Sequence, residues 1–350
     1  MSKILIKHGK VWSGERFFSA DVLTDGDKII KIEEGITDSA DFVFDAKGKV
    51  VSAGLVDAHV HLRGLNRYFG IHPEMSSIPF GVTSAADACA IYGDKALIDS
   101  FMIKTVAFVP VEFRDNKAYF DSAQELLGKY GDKAVGVKVY FDTHISEVRD
   151  AEPLREVVEY ADKNNLIIMV HSSNSPIPMA ELAGALRKGD ILTHAYHGGA
   201  NNAGEDDFEC IKVAKERGVI IDAGFAGSVH ADFRIFEDAV NRGAIPDVIS
   251  TDITRFSAYK RGGRYGLTMC MSFARQLGMC EEDIFRAVTS SPAKALGKEK
   301  QWGYLEVGRC ADVAVLDYTD EGFELSNGVK GEKGYRCVFT VADGEVVYRD

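Results

Sequence analysis

The sequence contains no run of about 18 apolar residues, which is the length that a membrane-spanning helix needs. Its first segment, MSKILIKHGKVWSGERF, has neither the apolar core nor the cleavage site of a secretory signal peptide. The six cysteines are widely spaced and form no C-x-x-C pair, which is typical of free thiols in a reducing compartment. These absences predict a cytoplasmic protein that does not bind membranes.

Basic residues are outnumbered, since 41 Lys and Arg stand against 53 Asp and Glu and give a net charge of −12. This balance disfavours nucleic acid as a partner. Internal repeats and low-complexity segments are also lacking. The 350 residues, 46% hydrophobic and 27% charged, have the composition of a folded globular protein with about two domains.

Both ends of the chain alternate apolar and polar residues in short runs that tight turns interrupt. Examples are ILIKHGKVW and DFVFDAKGKVV near the start and ADVAVLDY near the end. Neither end is long enough to form a stable sheet alone, because strand edges would stay unpaired. We therefore expect residues 1–52 and 304–350 to form one small β-sandwich domain.

Residues 53–303 instead alternate short apolar strands with helical patterns. KAVGVKVYF, LIIMVHSS and DILTHAYHG have the pattern of strands, and PLREVVEYADKNN and MAELAGALRKG lie between them with helical spacing. Repeated strand–helix units imply a parallel sheet. The predicted fold class is α/β, a (β/α)8 TIM-like barrel that carries the small β domain.

Polar residues with metal-binding chemistry lie where predicted strands end. They are His59, His61, Lys138, His171, His194 and Asp252. If these strands are numbers 1, 4, 5, 6 and 8 of a barrel, the 193 residues from His59 to Asp252 allow about 28 for each strand–helix unit. Because the carboxyl ends of barrel strands meet at one mouth, we expect these residues to form one site.

The chemistry of this set fits a pair of divalent metal ions. His59 and His61 are two residues apart on a strand, so both imidazoles face the same side. Imidazole and carboxylate are ligands of zinc and similar ions. Lys138 fits beside two cations only as a neutral amine or after CO2 addition, which makes a bridging carbamate. Four other histidines lack a strand-end setting and are interpreted as structural. They are His8, His72, His144 and His230.

The set resembles the amidohydrolase superfamily, in particular its deacetylase-like, dihydroorotase-related metallohydrolases. That pattern has HxH on strand 1, a bridging lysine on strand 4, histidines on strands 5 and 6, and an aspartate on strand 8. GDILTHAYHG, PDVISTDI and EVGRCADVAVLD extend the likeness over nearly the whole chain. The resemblance implies a metal-bearing barrel with a β-sandwich built from both chain ends.

The resemblance also implies a role for each residue. The more buried ion would be bound by His59, His61 and Asp252, and the more exposed ion by His171 and His194. Carboxylated Lys138 would bridge the two ions, which are Zn²⁺ or alternatively Mn²⁺. Metals lower the pKa of bound water, so a hydroxide between the ions would attack a carbonyl carbon. Asp252 would be the catalytic group that moves the proton to the leaving nitrogen or oxygen.

Four residues are candidates for substrate contacts. Arg63 belongs to an H-V-H-L-R run similar to the dihydroorotase signature, in which the arginine holds a substrate carboxylate. Arg255 lies in a cationic loop after strand 8 that would attract an anionic substrate. Tyr140 either shares the face of the predicted bridging lysine or packs in the core. His197 would touch substrate or orient a neighbouring metal ligand.

Strand 7 departs from the family pattern. Related sequences carry DVGHG there, whereas this chain has IDAGFAG, with Phe225 at the position of the histidine. This change removes no predicted metal ligand, but it removes a substrate or oxyanion contact, so a relative's specificity should not be transferred. The segment RGLNRYFGIHPE also differs from the dihydroorotase pattern, which weakens the case for a pyrimidine ring as substrate.

We therefore expect a binuclear metal hydrolase that cleaves an N-acyl amide or an acyl ester of a small carboxylated metabolite. A cyclic-amide hydrolase of the dihydroorotase or hydantoinase type is the alternative among enzymes, and Lys138 argues against a mononuclear deaminase. A non-catalytic scaffold that retains the fold is the alternative from another class. The sequence leaves open the substrate, the native metal, the carboxylation of Lys138 and whether the protein is a homo-oligomer.

Overall fold

The computed structural model describes residues 2–62, 69–259, 265–324 and 330–350. The predicted substrate residue Arg63 lies outside the described residues, as do Lys260, Arg261 and Arg264 of the cationic loop. None of the helices in the described ranges has the length and apolar character that crossing a bilayer requires.

The strands of the described ranges, in chain order, are β1 (Lys3–Trp12), β2 (Phe17–Asp25), β3 (Lys28–Glu33), β4 (Phe42–Asp45), β5 (Val50–Ala53), β6 (Leu55–Val60), β7 (Val82–Asp87), β8 (Lys104–Pro110), β9 (Glu112–Arg114), β10 (Lys117–Tyr119), β11 (Ala134–Tyr140), β12 (Ile167–His171), β13 (Ile191–Thr193), β14 (Ile220–Asp222), β15 (Val313–Thr319), β16 (Phe323–Glu324), β17 (Lys330–Gly331), β18 (Gly334–Ala342) and β19 (Glu345–Arg349). The α-helices are α1 (Pro73–Ser77), α2 (Lys95–Asp99), α3 (Asp121–Tyr130), α4 (Glu152–Asn164), α5 (Met179–Ala185), α6 (Glu209–Arg217), α7 (Phe233–Asn241), α8 (Arg255–Tyr259), α9 (Leu267–Gln276), α10 (Glu281–Ala287) and α11 (Ser290–Ala295). Short 3₁₀ turns cover Ile78–Phe80, Gly131–Lys133 and Ala226–Ser228.

Seven parallel strands form the central sheet, in the order β14–β13–β12–β11–β8–β7–β6. The two edges of this sheet are joined by residues 248–253, which make isolated bridges rather than a full strand. Val248 pairs with Asp222 of β14, and Ile253 pairs with Val60 of β6, both in parallel. The predicted (β/α)8 class is confirmed, with an irregular eighth strand. The predicted strands 1, 4, 5 and 6 correspond to β6, β11, β12 and β13.

Burial explains why these segments form a barrel. Every residue of β6 and of β7 is buried, as expected for parallel strands covered on both faces. Helix α4 turns Leu154, Val157 and Ala161 inward at helical spacing, which confirms the predicted amphipathic pattern. Helix α6 ends at Gly218, whose left-handed conformation lets its N–H bond back to the carbonyl of Ala214.

The two chain ends form a separate sheet in the order β19–β18–β15–β5–β1–β2–β3, with β4 also paired to β1. Strand β1 has a bulge at His8, pairing with β4 before it and with β5 after it. Phe42 and Phe44 of β4 stack on Phe339 of β18, at centroid distances of 5.5 and 4.5 Å. The sheet therefore folds over a core of its own. The domain limits 1–52 with 304–350 and 53–303 stay a prediction.

Polar contacts attach this sheet to the barrel. Lys104, at the start of β8, donates to Asp312 and to Asp343, with Nζ–O distances of 2.7 Å in each case. Trp12 of β1 donates its indole N–H to Thr289 Oγ1 at 2.9 Å, next to α11. These contacts lie away from the carboxyl ends of the barrel strands, where the predicted site residues are found.

Candidate metal centre

The structure brings the six predicted metal-binding residues together at one end of the barrel. His59 lies in β6, His61 just after it, Lys138 in β11, His171 at the end of β12, His194 just after β13, and Asp252 in the bridging segment. All six side chains belong to buried residues with 5% or less of their surface exposed. Their convergence follows from barrel geometry, while their individual roles stay predictions.

Asp252 lies at the centre of the cluster. Its Oδ1 is 2.8 Å from His61 Nε2 and 3.4 Å from His59 Nε2. Its Oδ2 is 3.8 Å from His194 Nε2, and Lys138 Nζ is 3.2 Å from His59 Nε2. The backbone of Asp252 has a φ of 46° and that of His194 a φ of 72°. Both values lie in the left-handed region, which Asp and His enter more readily than most other residues.

Three imidazoles are held from outside the cluster through one ring nitrogen. His59 Nδ1 lies 3.2 Å from Asp222 Oδ2, and His194 Nδ1 lies 2.8 Å from the carbonyl oxygen of Gly224. His171 Nε2 lies 3.2 Å from Asp142 Oδ2. Histidines that bind metals commonly donate their second ring N–H to such an outer acceptor, which fixes the tautomer and the ring orientation. The second nitrogen of each ring is then available to a cation.

His194 Nε2 is buried and, among the described residues, has no hydrogen-bond partner. Buried polar atoms nearly always have a hydrogen-bond partner, so His194 Nε2 is free to bind a cation or another ligand. His59, His194 and Asp252 offer ligand atoms that lie within 4.8 Å of one another. A divalent cation accepts imidazole nitrogens and carboxylate oxygens in that arrangement. The residues present therefore fit a metal ion.

The electrostatics of the cluster match the protonation states that a cation requires. Burial, with help from Lys138, lowers the pKa of His59 to about 4, so its imidazole is neutral at pH 7. Burial lowers the pKa of Lys138 to about 8, which increases the fraction of neutral amine near pH 7. Burial acts to raise the pKa of Asp252, but His59 and His61 outweigh it and the net shift is downward.

His230 also lies in the cluster, where the sequence had predicted only a structural role for it. Its ring centroid lies 4.3 Å from that of His194 and 4.9 Å from that of His171. Its Nε2 lies 3.8 Å from Asp252 Oδ2. The sequence carried no signal for this residue, because it lies in the loop between β14 and α7 rather than at the end of a strand.

Two carboxylates that support the histidines were also missed. Asp222 is the last residue of β14, which is strand 7 of the barrel. Its position at a strand end is therefore a sequence signal of the same kind as that of the six predicted residues. Asp142 follows β11 by two residues, and its backbone position next to the strand end gave a weaker signal. Asp57 accepts from both the backbone N–H and the hydroxyl of Thr251, which anchors the irregular eighth strand beside β6.

The predicted substrate residues are placed differently from one another. The ring of Tyr140 is half-buried, with its centroid 5.6 Å from that of His171. His197 is buried, and its Nδ1 accepts the backbone N–H of Gly199. Arg255 begins α8 and is exposed. Tyr140 thus lies beside the predicted ligand His171, and His197 contacts the predicted ligand His194, because its backbone N–H donates to the His194 carbonyl at 3.1 Å.

Comparison with known proteins agrees with this geometry. The model of the Amidohydrolase family matches residues 50–347. The chain is similar to a deacetylase of Agrobacterium fabrum, with 29% identity over 89% of this chain and 82% of that protein. It is also similar to a deacetylase of Enterococcus faecalis, with 26% identity over 98% of both chains. A dihydroorotase of Lactobacillus gasseri is 26% identical over 99% of this chain and 98% of its own.

Solved structures share the fold. A crystal structure of a dihydroorotase has a TM-score of 0.86 at 24% identity and covers 100% of both chains. A crystal structure of an adenine deaminase has a TM-score of 0.84, also at 24% identity, and covers 99% of both chains. At that level of identity the likeness concerns the barrel and the terminal sheet.

Proposed function

Since the chain belongs to the amidohydrolase family and is a hydrolase of C–N bonds, we propose that it uses two divalent metal ions to cleave an N-acyl amide of a small carboxylated metabolite. An acyl ester is a close variant, because the same attack on a carbonyl carbon serves either leaving group. The observation that carries this proposal is the burial of four predicted histidine ligands, a lysine and an aspartate in one cluster.

The deeper ion would be held by His59, His61 and Asp252, and the other by His171 and His194. Lys138 would bridge the two sets, and its Nζ lies 3.2 Å from His59 Nε2. An ammonium group there would repel both cations. Addition of CO2 to the neutral amine, with release of a proton, would turn Lys138 into a carbamate anion able to hold both ions.

When bound, such ions lower the pKa of water and polarise a substrate carbonyl, which is the chemistry that hydrolysis at neutral pH needs. Asp252 would accept the proton of the attacking water and deliver it to the leaving nitrogen. The neighbouring histidines hold its pKa below the ordinary value in spite of burial, so the carboxylate is ionised at neutral pH and has no proton of its own before the reaction. Tyr140, whose ring lies beside that of His171, would contact the acyl group or its carbonyl.

The deacetylase names of the two bacterial relatives support an N-acyl substrate. The dihydroorotase of Lactobacillus gasseri, similar over nearly its full length, keeps a cyclic amide as the second candidate. Arg63, the predicted clamp for a substrate carboxylate, would serve either substrate.

A substrate screen tests the proposal. N-acyl amino acids, acyl hydroxy acids and cyclic amides should be supplied to protein loaded with Zn²⁺ or Mn²⁺ in bicarbonate buffer. We expect hydrolysis of an N-acyl amino acid that a chelator abolishes and that returned metal restores. Turnover that survives complete metal removal would contradict the proposal. A protein that binds no metal under these conditions would instead support the non-catalytic scaffold.

A further inference from the structure

His230 has the surroundings of a ligand rather than of a packing residue. His171, His194 and His230 can each offer a ring nitrogen so that the three atoms lie within 4.8 Å of one another. A tetrahedral zinc ion with bonds of about 2.0–2.1 Å holds its nitrogen ligands roughly 3.3 Å apart. Small shifts of the rings towards a common centre would therefore give three-histidine coordination.

The orientation of the His230 ring follows the same rule as the other histidines of the site. Ser173 Oγ lies 3.0 Å from Nδ1 of His230, on the outer side of the ring. The other nitrogen, Nε2, faces the cluster and lies 3.8 Å from Asp252 Oδ2. His59 and His194 are held in this way by an outer acceptor, so one ring nitrogen is engaged and the other is offered inward.

The loop that carries His230 is built to hold this position. Ala226 has a φ of 43°, in the left-handed region that is costly for alanine, and its N–H donates to the carbonyl of Thr251 at 2.9 Å. The next N–H, of Gly227, donates to the hydroxyl of Tyr265 at 2.7 Å. After His230, Asp232 N–H donates to the carbonyl of Tyr196. The loop is thus anchored on both sides of His230.

Glycine is required where this loop leaves β14. A Cβ on Gly224 would lie 2.5 Å from both His194 Nδ1 and Thr193 Oγ1, and the φ of Gly224 is 52°. The close approach lets the carbonyl of Gly224 accept from His194. The turn at Gly224 therefore positions His194 by a direct hydrogen bond. It also sets the direction in which the chain continues towards His230.

Phe225, which lies between β14 and His230, brings no ligand atom to the cluster. Its ring is buried against Phe236 of α7 and Phe273 of α9, at centroid distances of 5.4 and 4.9 Å. The position at which related sequences carry a histidine is thus part of the core in this chain. We propose that His230, five residues later, is a third histidine ligand of the more exposed metal ion, together with His171 and His194. This inference rests on the proposed function, because it presupposes that the cluster binds metal.

Metal titration of a His230→Gln variant tests the inference. The apoprotein, prepared with a chelator, is titrated with Co²⁺ in bicarbonate buffer, and bound metal per chain and the visible absorption of Co²⁺ are measured. Loss of an outer hydrogen-bond partner typically costs 10–100-fold in metal affinity, so loss of a direct ligand should weaken the second ion by about 100-fold or more. The first ion should bind as in the wild type, and the Co²⁺ spectrum of the second should change.

Two further variants make the result specific. His8→Asn removes an exposed imidazole far from the cluster, and asparagine tolerates the φ of 61° at that position. It should bind both ions like the wild type. Ser173→Ala keeps the His230 ring but removes its outer partner, and we expect roughly tenfold weaker binding of the second ion. If His230→Gln does not fold, the inference is tested by comparing the affinity of Ser173→Ala for the second ion with that of His8→Asn.

The outcomes separate this inference from the proposed function. A wild-type protein that binds no metal contradicts the proposed function itself. Two ions bound with unchanged affinity and unchanged Co²⁺ spectrum in His230→Gln and Ser173→Ala would overturn the inference alone. The same conclusion follows if His230→Gln lowers kcat or raises KM while metal binding stays intact, since the ring would then contact substrate.

Discussion

Replacing Asp222 with asparagine tests whether the histidines of the cluster are oriented for metal binding. Asp222 is 1% exposed and accepts the hydroxyls of Ser250 at 2.6 Å and Thr193 at 2.7 Å. Its Oδ2 also lies 3.2 Å from Nδ1 of His59. A proton on Nδ1 that donates to this carboxylate leaves the lone pair of His59 on Nε2, where the cluster is. Asparagine keeps the shape but removes the charge and one acceptor oxygen.

The size of the effect can be worked out from these contacts. The hydroxyls of Ser250 and Thr193 can rotate to suit an amide, whereas the N–H of His59 cannot. A hydrogen bond to a charged group contributes about 1.5–3 kcal/mol, against about 1 kcal/mol for a neutral pair. The loss of about 1–2 kcal/mol corresponds to roughly 5–30-fold in a dissociation constant. This overlaps the range of about 10–100-fold known for outer partners of metal ligands.

We therefore expect Asp222→Asn to weaken binding of the more buried ion by about tenfold, measured by competition with a chromophoric chelator. Asp247→Asn is the matched control, because Asp247 accepts the backbone N–H of Ile221 in the same strand without touching a histidine. That variant should keep wild-type affinity. Equal affinities in wild type and Asp222→Asn, or an equal loss in the control, would refute the reasoning.

Four further outcomes are expected. Lys138→Ala should hold fewer ions per chain and lose most of its kcat; full kcat in this variant would contradict the carbamate. Asp252→Asn should keep part of its metal and lose proton transfer, so an unimpaired kcat would remove Asp252 from that role. Lys104→Met leaves the buried Asp312 without its cation and should lower the free energy of unfolding, measured with urea, by about 2 kcal/mol. Lys95→Met breaks an exposed pair and should leave the free energy of unfolding almost unchanged in the same assay. Metal removal should lower the Tm, since an ion present at 100 times its Kd contributes about 2.7 kcal/mol; an unchanged Tm would argue against binding to the folded state.

Parts of the site beyond the strand ends depended on tertiary contacts. Asp142 and Asp222 support histidines that come from other strands, so their partners are separated by 29 and 163 residues along the chain. A single sequence shows that both are acidic residues near strand ends, but not which imidazole each one meets. The position of His230 depends even more on tertiary contacts. It is set by a loop that contains left-handed residues and that is hydrogen-bonded to Thr251 and Tyr265.

The sequence by itself determined the alternation of strands and helices, the joining of the two chain ends in one sheet, and the six polar residues at strand ends. These features depend on local periodicity and on the rule that parallel strands of a barrel end at one mouth. The tertiary structure alone decided that residues 248–253 close the barrel through bridges, that Phe225 packs in the core, and that His230 faces the predicted metal ligands. The reason is physical: a loop has no repeat that encodes its path, and its course is set by the surfaces against which it packs.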